Sequence, residues 1–273
     1  MAKKERIDVL LVEQGLFETR EKAKRAIMAG LVYAKEERMD KPGVKIDVES
    51  VLTVKGSVLP YVSRGGLKLE KAISAFDLVL QDKIVLDIGA STGGFTDCSL
   101  QNGAKKVYAL DVGYNQLAWK LRQDERVCVM ERTNFRYVTK ADLMFGLPNF
   151  ATIDVSFISL RLILPVLKTL LLPNSDVVAL IKPQFEAGKD DVGKKGIVRD
   201  KKIHLRVVEE IISFSRQEGY HITGIDFSPI KGGEGNIEFL LHLRWDDEES
   251  QFQSQVTAEQ IVNEAHLQLM EHN

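Results

Sequence analysis

The sequence predicts an α/β fold with a mostly parallel sheet, preceded by a small α+β domain. Three observations carry this. From Tyr61 onward, short apolar runs alternate with stretches of helical length, the pattern of parallel strands buried on both faces. Polar residues stand at the ends of four of those runs, where open α/β sheets bind ligands. The first 60 residues have another rhythm: helix, turn, helix, short strands, then a linker at Gly56 to Pro60. The expected organisation is a first domain over 1–58, a second over 59–245, and a solvated acidic tail over 246–273, helical near Ala258 to Met270.

In the first domain, Ile7, Leu10 and Leu11 fall at helical spacing and stop at Gly15. Thr19 is a good N-cap for a second helix, whose stripe is Ala23, Ala26 and Ile27, closed by Gly30. Val32-Tyr33 and Val51 to Val54 read as strands, with a charged, turn-rich segment around Pro42-Gly43 between them. In the second domain the strand candidates are Ile84 to Leu86, Val107 to Leu110, Ala151 to Ile153 and Val177 to Ile181. Ile222 to Ile225 and Ile237 to Leu243 predict a terminal antiparallel pair.

Composition bounds the function. The chain of 273 residues is 44% hydrophobic and 28% charged, ordinary for a soluble protein. No apolar run reaches the roughly 18 residues of a membrane span. The start, Met1 to Arg6, has charge but no apolar region behind it, so no signal peptide is expected and the location is expected to be cytoplasmic. Cys98, Cys128 and the five histidines show no metal spacing, so no metal is expected and both thiols read as reduced. Net charge is −2, but residues 246–273 hold seven acids and no Lys or Arg, which leaves the body mildly basic. Trp119, Trp245 and most Phe read as core.

The strand ends carry the chemistry. The first run ends at Asp87, the second at Asp111, a later one at Asp154 and another at Lys182. Asp87-Ile-Gly89-Ala-Ser91-Thr-Gly93-Gly94-Phe95 opens a helix, with glycines where the backbone must turn sharply or approach a ligand. Its spacing is neither the dinucleotide G-x-G-x-x-G nor a P-loop. Asp111, at the end of the second strand, is placed to bind ribose hydroxyls.

Here the chain resembles a known family. "VLDIGASTGGFTD" at 85–97, "ALDVG" at 109–113, "TIDVSFISL" at 152–160 and "IKPQFE" at 181–186 are similar to the TlyA family, described both as hemolysin A and as ribosomal-RNA 2′-O-methyltransferase. Its catalytic domain resembles the FtsJ/RrmJ ribose methyltransferases, which implies a Rossmann-like class I methyltransferase fold. Arg6, Asp8, Leu10, Gly15, Thr19-Arg20, Ala23 and Gly30 resemble an S4 RNA-binding domain. The resemblance implies a catalytic tetrad of Lys68, Asp154, Lys182 and Glu238. It also implies an S-adenosylmethionine site at Asp87, Gly89, Ser91, Gly93, Gly94, Phe95, Asp111, Val112, Asn134 and Asp154, with Asn134 near the adenine. Ser91-Thr92 before Gly93 departs from the FtsJ loop.

Those residue types suit the reaction. A sulfonium methyl is already activated, so alignment carries much of the rate. A ribose hydroxyl must lose its proton, and a lysine can take it only when neutral; desolvation and a neighbouring cation favour that form. The expected roles are Lys182 as base, Lys68 and Glu238 as orienting partners, and Asp154 between cofactor and base. RNA contacts are expected from Arg6, Arg20, Lys22, Lys24 and Arg25 in the first domain, and from Arg64 and Lys189 in the second. Lys189 opens a basic, glycine-bearing run with Lys194, Lys195, Arg199, Lys201, Lys202 and Arg206, which reads as a mobile loop. The resemblance implies as substrate cytidines of 16S ribosomal RNA, 23S ribosomal RNA or both, free or within a subunit, and a monomer is the favoured state. The alternatives are a cytolysin, on the family's other name alone, and a non-catalytic RNA-binding assembly factor.

Overall fold

The computed structural model describes residues 4–28, 30–56, 59–193, 195–246 and 257–270. The chain folds as two compact units, Met1–Pro60 and Tyr61–Asn273.

The first unit contains β1 (Lys4–Arg6), α1 (Ile7–Glu13), α2 (Arg20–Met28), β2 (Val32–Ala34), β3 (Glu37–Met39), β4 (Lys45–Asp47) and β5 (Leu52–Val54). β2 lies between β3 and β5, antiparallel to both, and β1 pairs with β4. The segment read as turn-rich therefore also supplies β3 and β4. The apolar stripes of α1 and α2 meet Val32 and Leu52 in a core that draws only on residues of this unit. Thr19 Oγ1 accepts from Lys22 N–H at 3.3 Å at the start of α2. Asp8 is buried in α1. Burial alone would raise its pKa, but the guanidinium groups of Arg6 and Arg20 together outweigh that and hold it at about 2.

The second unit contains α3 (Gly66–Ala75), β6 (Ile84–Ile88), α4 (Gly94–Gln101), β7 (Lys106–Leu110), α5 (Trp119–Arg122), β8 (Val127–Met130), β9 (Phe150–Ile153), α6 (Leu164–Leu167), β10 (Ser175–Ile181), α7 (Pro183–Glu186), α8 (Lys201–Gln217), β11 (His221–Phe227), β12 (Phe239–Trp245) and α9 (Ala258–Met270). Among the described residues these strands form one seven-stranded sheet, ordered β11-β12-β10-β9-β6-β7-β8. β6 to β10 run parallel; β12 runs antiparallel to both β10 and β11. This is the expected α/β class with its terminal antiparallel pair.

Side chains alternate across the sheet, as the period of a strand requires. Leu86, Ile88, Ala151 and Ile153 face a core shared with α6, α8 and α9. Val85, Val107, Phe150 and Val178 face the opposite core, which is closed by α3, α4 and α5. The thiols lie in this unit: Cys98 buried in α4, Cys128 half-buried in β8. Burial pushes the Cys98 thiol up to about 12.

Three expectations change. The end of the acidic tail is not solvated: α9 sets Ile261, Val262 and Ala265 into the core against α8 and β11. Its acids occupy the other faces of the helix, so charge concealed an apolar stripe. Residues 247–256 and 271–273 of that tail lie outside the described residues. Trp119 is not core; it is 70% exposed. The third change is at Asp87. β6 runs one residue further, to Ile88, so Asp87 is inside the strand, not at its tip, and the alternation turns its side chain inward.

Candidate active site

The site is built at the ends of the strands. Gly89, Asp111, Asp154 and Lys182 each follow the last residue of a parallel strand, β6, β7, β9 and β10 in turn. Because β12 runs the other way, the residue that precedes it reaches the same edge. Ile181 pairs with Phe239, which sets Glu238 beside Lys182. Lys68, in the first turn of α3, completes the group.

Lys68 Nζ donates to Glu238 Oε2 at 2.6 Å and to Asp154 Oδ2 at 3.2 Å. Lys182 forms an ion pair with the other Asp154 oxygen and lies 3.4 Å from Ser156 Oγ. Glu238 is 2% exposed and both lysines 7%. Burial pulls the Lys68 pKa down, but the charges of Asp154 and Glu238 together outweigh it, so Lys68 is held above the ordinary lysine value and stays charged. Burial likewise works against the Asp154 carboxylate, yet the two lysines keep it below the usual carboxylate range. The structure brings these four side chains together.

Two cavities adjoin this group. One, of about 490 Å³, is lined by all four residues and by Ser63, Arg64, Ser91, Gly94 and Phe95. The other, of about 420 Å³, is lined by Asp111, Val112, Gln116, Asn134, Phe135 and Ile163. Gly89, Ser91, Asp154, Ser156 and Phe157 belong to both walls. Gly89 holds φ 88°, and a Cβ there would lie 2.6 Å from the Asp154 carbonyl oxygen, so only glycine lets the loop pass this strand end. The Asp111 carboxylate accepts the N–H groups of Ser91 at 2.8 Å and Gly113 at 2.7 Å, which fixes it at the cavity wall. Asn134 caps a short turn through its Oδ1.

The second cavity fits the adenosine part of S-adenosylmethionine. It has the size of a small-ligand site. A fixed carboxylate suits ribose hydroxyls, and Asn134 with the apolar Leu110, Phe135, Ile158 and Ile163 on the same wall suits a purine ring.

Other expected residues lie elsewhere. Asp87 lines neither cavity: it is fully buried, and its oxygens accept from Thr96 Oγ1 at 2.6 Å and Thr152 Oγ1 at 2.9 Å. Burial, the largest influence, pushes its pKa up to about 6 despite those bonds. It ties β6 to α4 and to β9. Gly93 also faces away from the cavities, against Leu117 and Leu121. Lys189 is exposed in a short turn and lines neither cavity. In the first unit Arg25 is exposed, Lys22 pairs with Glu18, and Arg6 and Arg20 are both tied to Asp8. Of the basic run, Lys194 lies outside the described residues, while Lys201, Lys202 and Arg206 are on α8 and so are not loop.

Sequence reasoning missed Ser156, Phe157, Gln184, Lys231 and Asn236. Most stand inside or beside recognised motifs, "TIDVSF", "IKPQ" and "NIEF", which was their only signal. Phe157 is 89% exposed with φ 64°, an uncommon conformation for a bulky residue, and its ring lies 4.9 Å from that of Phe185. Among the described residues no helix is long and apolar enough to cross a membrane, and no group of His, Cys, Asp and Glu could hold a metal ion.

Comparison with known proteins agrees with this architecture. The FtsJ-like methyltransferase family matches residues 61–245, and the S4 domain matches residues 5–52. YqxC of Bacillus subtilis, which carries the name of an rRNA methyltransferase, is 68% identical over 99% of this chain and 97% of its own. TlyA of Mycobacterium tuberculosis, named a 16S/23S rRNA (cytidine-2′-O)-methyltransferase, is 42% identical over 89% of this chain and 91% of its own. A solved structure from Streptococcus thermophilus, named as a hemolysin, is 56% identical and superposes with a TM-score of 0.77 over 99% of this chain and 98% of that one. The chain belongs to the FtsJ-like methyltransferase family, as a member with an N-terminal S4 domain and relatives that bear the TlyA name.

Proposed function

We propose that this protein methylates the ribose 2′-hydroxyl of cytidine in ribosomal RNA, using S-adenosylmethionine. The observation that carries the reading is the cluster of Lys68, Asp154, Lys182 and Glu238 on the wall of one cavity, with Asp154 also on the wall of the other. The cofactor supplies an activated methyl group. Asp111 holds its ribose, Asn134 and the apolar floor its ring, and the Gly89 to Phe95 loop the remainder. Lys182, once it has given its own proton to solvent and is neutral, takes the proton from the 2′-hydroxyl at its Nζ. Lys68 does not compete for that role, because two carboxylates keep it protonated. Its charge instead holds Glu238 and Asp154 in place, and Asp154 orients Lys182. The S4 domain supplies RNA affinity through Arg6, Arg20, Lys22, Lys24 and Arg25, and the proposed substrate makes the protein cytoplasmic.

The deciding experiment maps ribose methylation by mass spectrometry in rRNA from cells with and without the protein, and on isolated subunits treated with it. A cytidine 2′-O-methyl group that depends on the protein is expected. Maps that are identical in both cells, with no transfer to either subunit, would remove the reading.

A further inference from the structure

Charge is unevenly distributed around the tetrad cavity. The tetrad pairs two cations with two carboxylates. The other charges on the wall are Arg64, Lys195 and Lys231, against the single carboxylate of Glu234. Among the described residues none of these three cations forms a salt bridge.

Lys195 and Lys231 come from different loops, between α7 and α8 and between β11 and β12. Each loop closes a tight turn. In the first, Gly193 N–H donates to Ile197 O at 3.1 Å and Gly196 N–H to Gly193 O at 2.8 Å. In the second, Gly232 N–H donates to Asn236 O at 2.9 Å. One side chain joins the two. Asn236, 2% exposed, accepts from Val198 N–H at 3.0 Å and donates to Gly196 O at 2.9 Å and to Gly233 O at 3.1 Å. A buried amide with these bonds made has a single geometry, so each loop fixes the other. Glu238 follows two residues later, packed so closely on Gly232 that a side chain there would have to displace its carboxylate.

We propose that Asn236 is a positioning residue: it locks the two loops into one wall, so that Lys195 and Lys231 receive the phosphodiesters on either side of the target ribose. A ribose within a strand brings one phosphate on its 5′ side and one on its 3′ side. Two cations on separate loops at one cavity match that pair. Fixing their backbones in advance lowers the ordering cost when the strand binds. The inference rests on the site being that of an RNA methyltransferase and adds how the strand is held.

The test uses full-length protein and four variants: Lys195→Gln with Lys231→Gln, Asn236→Ala, Asn236→Asp, and the two Gln substitutions combined with Asn236→Ala. Removing both lysines is expected to raise the KM for rRNA about a hundredfold, about tenfold for each charged hydrogen bond lost. The dependence of log affinity on log salt should become shallower by about 1.4, for two single-strand phosphates. S-adenosylmethionine affinity should not change. Asn236→Ala should raise the RNA KM more than it lowers kcat, and should add little once the lysines are gone, as expected of a residue that acts through them. Asn236→Asp keeps the shape and the acceptor for Val198 but turns an oxygen on the carbonyls of Gly196 and Gly233. It should behave like Asn236→Ala, and native S-adenosylmethionine affinity in both variants shows that the fold is kept. Additive effects in the triple variant, or an unchanged RNA KM, would overturn the proposal. So would weaker cofactor binding in the lysine variant, because the cations would then serve the cofactor. If the native protein transfers no methyl group to RNA, the reaction falls, and the salt-dependent binding measurements alone decide the role of Asn236.

Discussion

Lys68 and Lys182 share Asp154, yet only Lys68 is held between two carboxylates. That difference predicts how each fails. Lys182→Ala should lose about 10²–10⁴ in single-turnover methylation while keeping cofactor affinity. Lys182→Arg should fail almost as badly, because a guanidinium keeps its proton at working pH. A Lys182→Arg enzyme with near-native rate would rule out Lys182 as base. Asp111→Ala should weaken cofactor binding by about 1.5–3 kcal/mol, read by titration, since it removes a charged hydrogen-bonding group that also steadies the Ser91 N–H. Asp87 makes a prediction about pH. Its folded pKa, about 6, lies above the ordinary Asp value near 4, so the folded state favours the protonated form. Stability tied to Asp87 is full below about pH 4 and is lost as pH rises through about 6, a change of about 3 kcal/mol. Asp87→Asn should flatten that fall; a melting-temperature profile over pH 4 to 7 that matches the native protein would refute it. Residue-level legibility followed backbone direction. Asp111, Asp154 and Lys182 follow apolar runs and could be found from them. Lys68 begins a helix and Glu238 precedes an antiparallel strand, so only the family resemblance reached them.

At the level of elements, the polarity of β12 and the stripe of α9 matter most. The antiparallel pair was legible as two apolar runs close in sequence; that β12 inserts between β10 and β11 was not, because sheet order is a long-range property. β3 and β4, three residues each, were hidden in charged sequence because such short strands carry too few side chains for a period to show. α9 was legible as a helix but not as a buried one. Its neighbours explain the burial: Ile261, Val262 and Ala265 complete the core beside Val208 and Ile222. His266 also meets buried His204, ring nitrogens 2.9 Å apart. Removing residues 257–273 should therefore destabilise the second unit by several kcal/mol, at about 1.5–3 kcal/mol for each large apolar side chain uncovered. Chemical denaturation of the truncated protein measures this, and an unchanged midpoint would mean that α9 adds nothing to the core.

For the whole molecule, the division of the core decides what can be separated. The first unit buries its own cluster, from Ile7 to Leu52, and the second its own layers on either face of the sheet. Deleting residues 1–56 should leave a folded unit that binds S-adenosylmethionine with native affinity and methylates rRNA poorly. A truncated protein that modifies rRNA at full rate would assign the S4 domain another purpose. RNA binding by the intact chain should weaken steeply with salt, since phosphate contacts release counterions. The cysteines have a further consequence. Both thiols, and both tryptophans, belong to the unit that starts at Tyr61. Labelling of buried Cys98 and the fluorescence of partly buried Trp245 therefore report on the unit that holds the sheet. None of these probes lies in the S4 domain, so a denaturation curve recorded with them carries no side chain of that domain, and a probe at Tyr33 is needed to observe it directly.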